Sequence, residues 1–246
     1  EGRILMKKFL AIILVLAICL SFAASAFWAE GESAEKLKLW FEHPTKRVSE
    51  FTKTPSGMES YQIFMAKNEI EGAQFVLLAE EEMTSLTAAL SDFSDGKGNV
   101  LTADLFWEYY TPVAGDSVPD AIPPLDGPFS LEAGYSKAFY LKLKTVPETP
   151  AGLYTATLTI SDSSGAALKT ADVSVKVFDF ALPEKTSCET AFYLDRGQVY
   201  NKHKASGLSE DELYKIYYDY MLENRVCAYS LPYDLRSDAS VLAEYL

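Results

Sequence analysis

The stretch Val146–Glu184, VPETPAGLYTATLTISDSSGAALKTADVSVKVFDFALPE, decides the fold. Between Tyr154 and Ile160 the apolar side chains Tyr154, Ala156, Leu158 and Ile160 fall on every second residue, with Thr155, Thr157 and Thr159 between them. That is the period of a strand with one face buried and one in water. Ala171, Val173, Val175 and Val177 repeat it, interleaved with Asp172, Ser174 and Lys176. Ser161–Gly165 is a cluster of turn formers, so the two runs are expected to pair as an antiparallel hairpin. Phe178 and Phe180 carry the chain on to Leu182 and Pro183. Proline has no N–H for a ladder and holds the preceding residue extended, which marks an exit from the sheet and a domain boundary.

Working upstream, runs of the same kind lie near Leu37–Phe41, Ser60–Ala66, Ala73–Ala79, Leu86–Ser91, Val100–Tyr110 and Lys137–Thr145, with a further run at Phe129–Leu131. With the hairpin these make roughly nine short strands separated by turn clusters, the signature of an all-β sandwich. Asp95-Gly96-Lys97-Gly98-Asn99 joins two of the runs, and Pro119–Pro128, with four prolines, is expected to be a long surface loop. The sandwich domain is expected over residues 35–184.

Acidic residues outnumber basic ones 35 to 22, for a formal net charge of −13 and a pI near 4.6. Such a chain repels phosphate backbones and anionic lipid heads, so neither nucleic acid nor a membrane surface is an expected partner. Met6-Lys7-Lys8, the apolar Phe9–Leu20 and Ala24-Ser25-Ala26 form the three regions of a secretory signal peptide. The apolar run is too short to span a bilayer as a helix. Residues 1–26 are therefore read as a signal peptide with a few upstream residues, cleaved after Ala26, which directs the protein to a secreted, cell-surface or periplasmic location. The mature chain keeps Cys188 and Cys227, too few for a disulfide scaffold and without the spacing of a zinc site. No metal or cofactor is indicated.

After Pro183 the pattern changes. Thr190–Leu194 suits a strand, Ser209-Glu210-Asp211-Glu212 is a capping box, and Leu213, Ile216, Tyr217, Tyr220 and Met221 follow helical spacing to about Asn224. Val226–Leu231 reads as a second strand. Strand, helix, strand is the first unit of an α/β fold. Parallel strands need both faces covered by elements that residues 185–246 do not contain, so this second domain is expected to be the unfinished beginning of an α/β fold. The expected fold class is thus mainly β: an N-terminal β-sandwich followed by that strand-helix-strand start.

The motifs Asn68-Glu69-Ile70-Glu71-Gly72-Ala73-Gln74-Phe75-Val76-Leu77, Pro119-Asp120 with Pro124-Leu125, Val146-Pro147 through Pro150-Ala151-Gly152-Leu153-Tyr154, and Val177–Pro183 occur in this order along the chain. Together they resemble motifs of bacterial proteins similar to glycoside hydrolase family 123, over about Leu37–Tyr233. The resemblance implies a β-sandwich ahead of a (β/α)8 barrel that removes N-acetylgalactosamine from glycans. The substrate's own acetamido group is the nucleophile there, assisted by an adjacent Asp-Glu pair. The implied pair belongs to a later barrel strand. Asp211-Glu212, at the first turn of a helix, complements the helix dipole instead, so no catalytic residue is assigned within this chain.

Candidate substrate contacts are Asp195 and Arg196, which follow the first barrel-like strand, and Tyr233 and Asp234, which follow the second. Barrel active sites form at the carboxyl ends of strands, where such groups hold sugar hydroxyls or stack on a sugar face. Asn68, Glu69 and Gln74 either bind ligand or tie a turn to the barrel, and the structural role is the favoured one. His43 and His203 are read as surface residues. Trp40, Trp107, Tyr109 and Tyr110 fit either a sugar platform or, preferentially, the core. The expected function is the non-catalytic front portion of a secreted glycoside hydrolase with a glycan substrate, its sandwich packed on the barrel of the same chain. The alternative is a carbohydrate-binding or structural sandwich module of an exported surface protein.

Overall fold

The computed structural model describes residues 36–185, 187–188 and 190–228; the expected signal peptide and residues 229–246 lie outside them. Two sheets face each other across one core. The first, entirely antiparallel, runs in the order β1 (Leu37–Glu42), β3 (Ile70–Ala79), β11 (Ser136–Lys144), β7 (Ala103–Trp107). The second runs β10 (Phe129–Leu131), β4 (Met83–Leu90), β12 (Gly152–Ser161), β13 (Ala167–Ala181), β2 (Tyr61–Lys67), with the short β5 (Phe93–Ser94) and β6 (Val100–Leu101) attached beside β12. A separate ribbon pairs β8 (Tyr109–Val113) with β9 (Asp116–Ala121).

The hairpin forms as its alternation requires. Tyr154 pairs with Val175 and Leu158 with Ala171, and the inward set Tyr154, Leu158, Ile160, Val173, Val175 and Val177 is fully buried. Asp162 closes the turn by accepting from the N–H groups of Ser164 and Ala166, and Gly165 takes a φ of 83° that disfavours any residue with a Cβ. Opposite this face lie Phe75, Leu77, Phe139, Leu141 and Leu143 of the first sheet, with the Phe75 and Phe139 rings stacked 4.9 Å apart. Each such side chain contributes about 1.5–3 kcal/mol by leaving water. β2 closes the edge in parallel with β13, Ile63 beside Val175.

The outer face of the first sheet is also covered. Trp40, Val76, Leu78 and Ala138 form a second small core into which Val48 of the β1–β2 loop inserts. Gln74 holds that loop down, its Nε2 donating to the carbonyls of His43, Pro44 and Lys46 at 2.8–3.1 Å. Buried Glu42 is paired, accepting from Trp40 Nε1 at 3.1 Å and from Lys46 Nζ at 2.8 Å. Glu108, 5% exposed, has no such cation, and burial pushes its carboxyl up to about 7. Tyr140 lies down across β3 where Gly72 has no side chain; a Cβ there would sit 2.4 Å from the Tyr140 hydroxyl and 2.5 Å from the Leu141 carbonyl.

Several expectations are corrected. Val100–Tyr110 is not one strand but three, β6, β7 and β8, which belong to three different sheets. Pro119–Pro128 is a loop only in its second part, because Pro119 lies in β9, and a two-stranded ribbon leaves room for a residue that cannot donate. The remainder runs back over the edge strand β7, with Trp107 N–H donating to Pro123 O and Leu125 N–H to Leu105 O. Among the described residues thirteen strands form rather than about nine.

In the tail the capping box is present. Ser209 and Glu212 bond reciprocally at the start of a helix over Glu210–Glu223, and a helix that the sequence reading lacks, over Arg196–His203, precedes it. These are α2 and α1 respectively. The buried face of α2 is Leu213, Tyr214 and Tyr218 instead of the expected Leu213, Ile216, Tyr217, Tyr220 and Met221, and Ile216 and Tyr220 are exposed. α1 packs on α2 and rotates the covered stripe toward Tyr214. His203 is half-buried, its ring hydrogen-bonded to the Tyr217 hydroxyl. The expected strand Thr190–Leu194 is reduced to one parallel bridge between Phe192 and Ala228, and Cys188 and Cys227 form no disulfide. Among the described residues no helix is long and apolar enough to cross a membrane.

Gly72→Ala is expected to destabilise the protein by about 3 kcal/mol or more, because a backbone oxygen as well as a ring blocks the new methyl group. Urea unfolding monitored by circular dichroism measures this; a loss under about 1 kcal/mol would show that β11 yields freely. For Glu108 the raised folded pKa means that the native state binds more protons than the unfolded chain between about pH 4.5 and 7, so stability falls across that window as pH rises. Glu108→Gln should therefore be more stable than the parent at pH 8, by up to about 3 kcal/mol, and nearly equal to it at pH 4.5. A gap independent of pH contradicts the burial argument.

Candidate functional site

Of the residues singled out in the sequence, Asn68 and Glu69 sit where the sandwich hands over to the helical tail. The β2–β3 turn needs one residue in the left-handed region, and Asn68 takes it at φ 56°. Its Nδ2 donates to Leu182 O at 2.9 Å, which pins the exit of β13, and its own carbonyl accepts from Arg225 Nη2 at 2.6 Å just beyond α2. Glu69 closes the turn by accepting from Ala66 N–H, while its N–H donates to Thr145 Oγ1 at 3.0 Å. The Thr145 hydroxyl, buried, donates to Ala66 O at 2.8 Å. Lys144 reaches Glu223 at 2.7 Å across the same junction. These groups line a cleft of 270 Å³ between β3, the end of β11 and the end of α2. Asn68, Glu69 and Gln74 thus act as ties, and the first of them joins the sandwich to the tail.

Asp195 is the N-cap of α1: its Oδ1 accepts from Gln198 N–H at 2.8 Å and its Oδ2 from the Tyr193 hydroxyl at 2.9 Å. These bonds, the backbone one first, hold its carboxyl below the usual carboxylate range. Arg196 is engaged on three sides, by Glu210, by Asp211 and by the Tyr214 ring, whose centroid lies 5.0 Å from its guanidinium carbon. Glu212 serves the capping box, and its bonds from Ser209 lower its pKa. Asp195 and Arg196 are adjacent on one helix start, with Tyr193 beside them; Tyr233 and Asp234 lie outside the described residues. Of the four aromatic candidates, Trp40 is core, whereas Trp107, Tyr109 and Tyr110 line an open groove on the opposite rim of β11.

No family model matches the chain, and no curated protein sequence matches it. A family 123 glycoside hydrolase from Clostridium perfringens, described for glycolipid glycan hydrolysis, superposes with a TM-score of 0.64 at 15% identity, over 77% of this chain and 36% of that one. The likeness is one of fold. This chain therefore spans about a third of that hydrolase's length. A fimbrial protein of enteroaggregative Escherichia coli matches over 58% of this chain and 99% of its own at 12% identity, with a TM-score of only 0.33. The CaCohA2 structure from Clostridium acetobutylicum matches over 58% and 91% at 11%, with a TM-score of 0.32. The last two likenesses carry no argument.

Asn68→Ala removes the bond to Leu182 and leaves a Cβ in the left-handed region without the local bonding that makes Asn tolerable there. It should cost about 2 kcal/mol in urea unfolding, whereas Asn68→Gly, which relieves the backbone, should cost about half of that. Equal costs for the two variants would mean that backbone conformation contributes nothing at this turn.

Proposed function

We propose that this chain is the N-terminal, non-catalytic portion of a secreted glycoside hydrolase that acts on N-acetylgalactosamine-containing or related glycans. The observation that carries the reading is the shared fold with the family 123 hydrolase over 77% of the chain, found in a sequence whose ordered motifs resemble that family. The domains are then a signal peptide over residues 1–26, a sandwich over 35–184 and the start of a (β/α)8 barrel over 185–246. The parallel bridge between Phe192 and Ala228, with two helices between its strands, supports such a start.

On this reading Asp195, Arg196, Tyr233 and Asp234 sit at the carboxyl ends of the first two barrel strands and contact sugar hydroxyls. The sandwich packs on the barrel of the same chain. We assign to that contact the exposed rings of Phe64, Phe178 and Phe180, stacked at 6.0–6.2 Å beside the exit of β13.

Acid/base groups held in place supply much of a glycosidase's rate, and no such pair is assigned within this chain. The whole protein is therefore expected to release N-acetylgalactosamine from an aryl N-acetyl-β-galactosaminide, and residues 36–246 alone to release none. Turnover by the short form, abolished by a substitution within it, overturns the non-catalytic assignment. Absence of turnover with any aryl N-acetylhexosaminide by the whole protein overturns the hydrolase reading.

A further inference from the structure

At the rim of the first sheet, away from the junction, three pieces of chain meet. The β1–β2 loop brings Phe51, the passage from β7 to β8 brings Trp107 and Tyr109, and the turn from β10 into β11 brings Glu132, Tyr135 and Lys137. Backbone bonds fix the walls: Ser136 N–H donates to Glu50 O at 2.8 Å, Ser136 Oγ to Thr52 O, and Gly134 N–H to Ala79 O at 2.7 Å. The groove between them has a volume of 530 Å³, and a second hollow of 280 Å³ adjoins it beyond the ridge made by Trp107 and Lys137. The two adjoining hollows together offer room for more than a single sugar ring.

The lining sets the ligand's chemistry. Phe51, Tyr109 and Tyr135 are 56%, 49% and 41% exposed, unusual for rings of this size, and they stand in two pairs: Phe51 with Tyr135 at 5.8 Å, and Trp107 with Tyr109 edge-on at 5.4 Å. Lys137 and Lys53 hold their ammonium groups 4.9 Å from the Trp107 and Tyr135 ring centres. Among the described residues no hydrogen bond engages the carboxylates of Glu50 and Glu132, the Lys137 ammonium, or the hydroxyls of Tyr109 and Tyr135. Donors, acceptors and apolar ring faces therefore line one open trough. A sugar has that composition, with C–H faces that lie on rings and hydroxyls that both give and accept hydrogen bonds.

Other classes fit less well. A peptide adding itself to the sheet would need the free edge of β7, but Pro123–Leu125 already occupies it. An anionic chain would meet a protein of net charge −13, and within the groove the Lys137 and Lys53 ammoniums are balanced by the carboxylates of Glu50 and Glu132, so no excess of positive charge is offered to it.

We propose that the groove flanked by Phe51, Trp107, Tyr109 and Tyr135 binds a neutral oligosaccharide chain, making the sandwich a glycan-holding surface in its own right. The proposal goes beyond the hydrolase reading and rests on the lining of the groove alone.

The test is calorimetric titration of the full chain with tetramers of β-linked N-acetylglucosamine, glucose and galactose, with tryptophan emission followed in parallel because Trp107 lines the groove. At least one tetramer should bind saturably with a Kd of about 0.1–1 mM. Tyr109→Ala and Phe51→Ala, both exposed positions whose loss leaves the fold intact by circular dichroism, should each weaken binding about tenfold or more. Phe64→Ser, on the other sheet, should leave it unchanged. No saturable binding of any tetramer below about 10 mM overturns the proposal, as does binding indifferent to both ring removals. Binding with no hydrolysis by the whole protein upholds the groove while the hydrolase reading fails; hydrolysis without groove binding does the reverse.

Discussion

The burial of one face of β12 and β13 against β3 and β11 is the constraint on which the rest depends. Because side chains alternate, a slip of one residue in this hairpin would put Tyr154, Leu158 and Ile160 in water and Thr155, Thr157 and Thr159 in the core. No turn chemistry could offset the loss. β13 then fixes more than its own hairpin: over fifteen residues it pairs antiparallel with β12, parallel with β2, and ends beside the β2–β3 turn. The exit to the tail is therefore set by the same strand that sets the core.

The two outer faces differ in kind. That of the second sheet stays open, with threonines and serines along β12 and β13 and three phenylalanines near the exit. That of the first is sealed by the β1–β2 loop, which Gln74 holds and which Val48 plugs. Sealing it places Phe51 over the rim beside the turn from β10 into β11, so the aromatic groove is a by-product of covering Trp40. Gly72 belongs to the same economy of space, since only its missing side chain lets Tyr140 lie flat on β3.

What was legible in the sequence was local. Period-two alternation gave the hairpin, its turn and its buried face, and the capping box gave the start of α2. Sheet membership was not legible: Val100–Tyr110 reads as one strand-like run, and nothing in its period tells that Thr102 and Glu108 are the points where the chain changes sheets. Nor does period say which side of an edge strand is outward, so Trp40 and Trp107 read alike although one is sealed and the other lines a groove. α1 has one buried residue, Val199, hence no stripe to find; its available signal was Asp195 with Gln198 three positions on, a cap pattern. For the candidate contacts, Asp195 and Arg196 follow a single bridge at Phe192 in place of the expected strand, and their bonds to Gln198, Glu210 and Asp211 depend on a helix the pattern hides.

The junction differs from both cores in what holds it. The buried apolar clusters of the described residues lie either wholly in the sandwich or wholly in the tail, where Tyr214, Tyr218 and Ala228 pack with Leu194 and Met221. Among the described residues the boundary is crossed by a charged hydrogen bond, Arg225 to Asn68 O, and by a half-exposed ion pair, Lys144 with Glu223. The first is worth about 1.5–3 kcal/mol and the second under about 1 kcal/mol. That suffices to orient the tail but is small beside the apolar burial that fixes the sandwich. On the proposed reading, a barrel continuing from this tail would need further apolar surface on the sandwich to lean against, and the exposed Phe64, Phe178 and Phe180 stack, next to the same exit, is apolar surface of that kind.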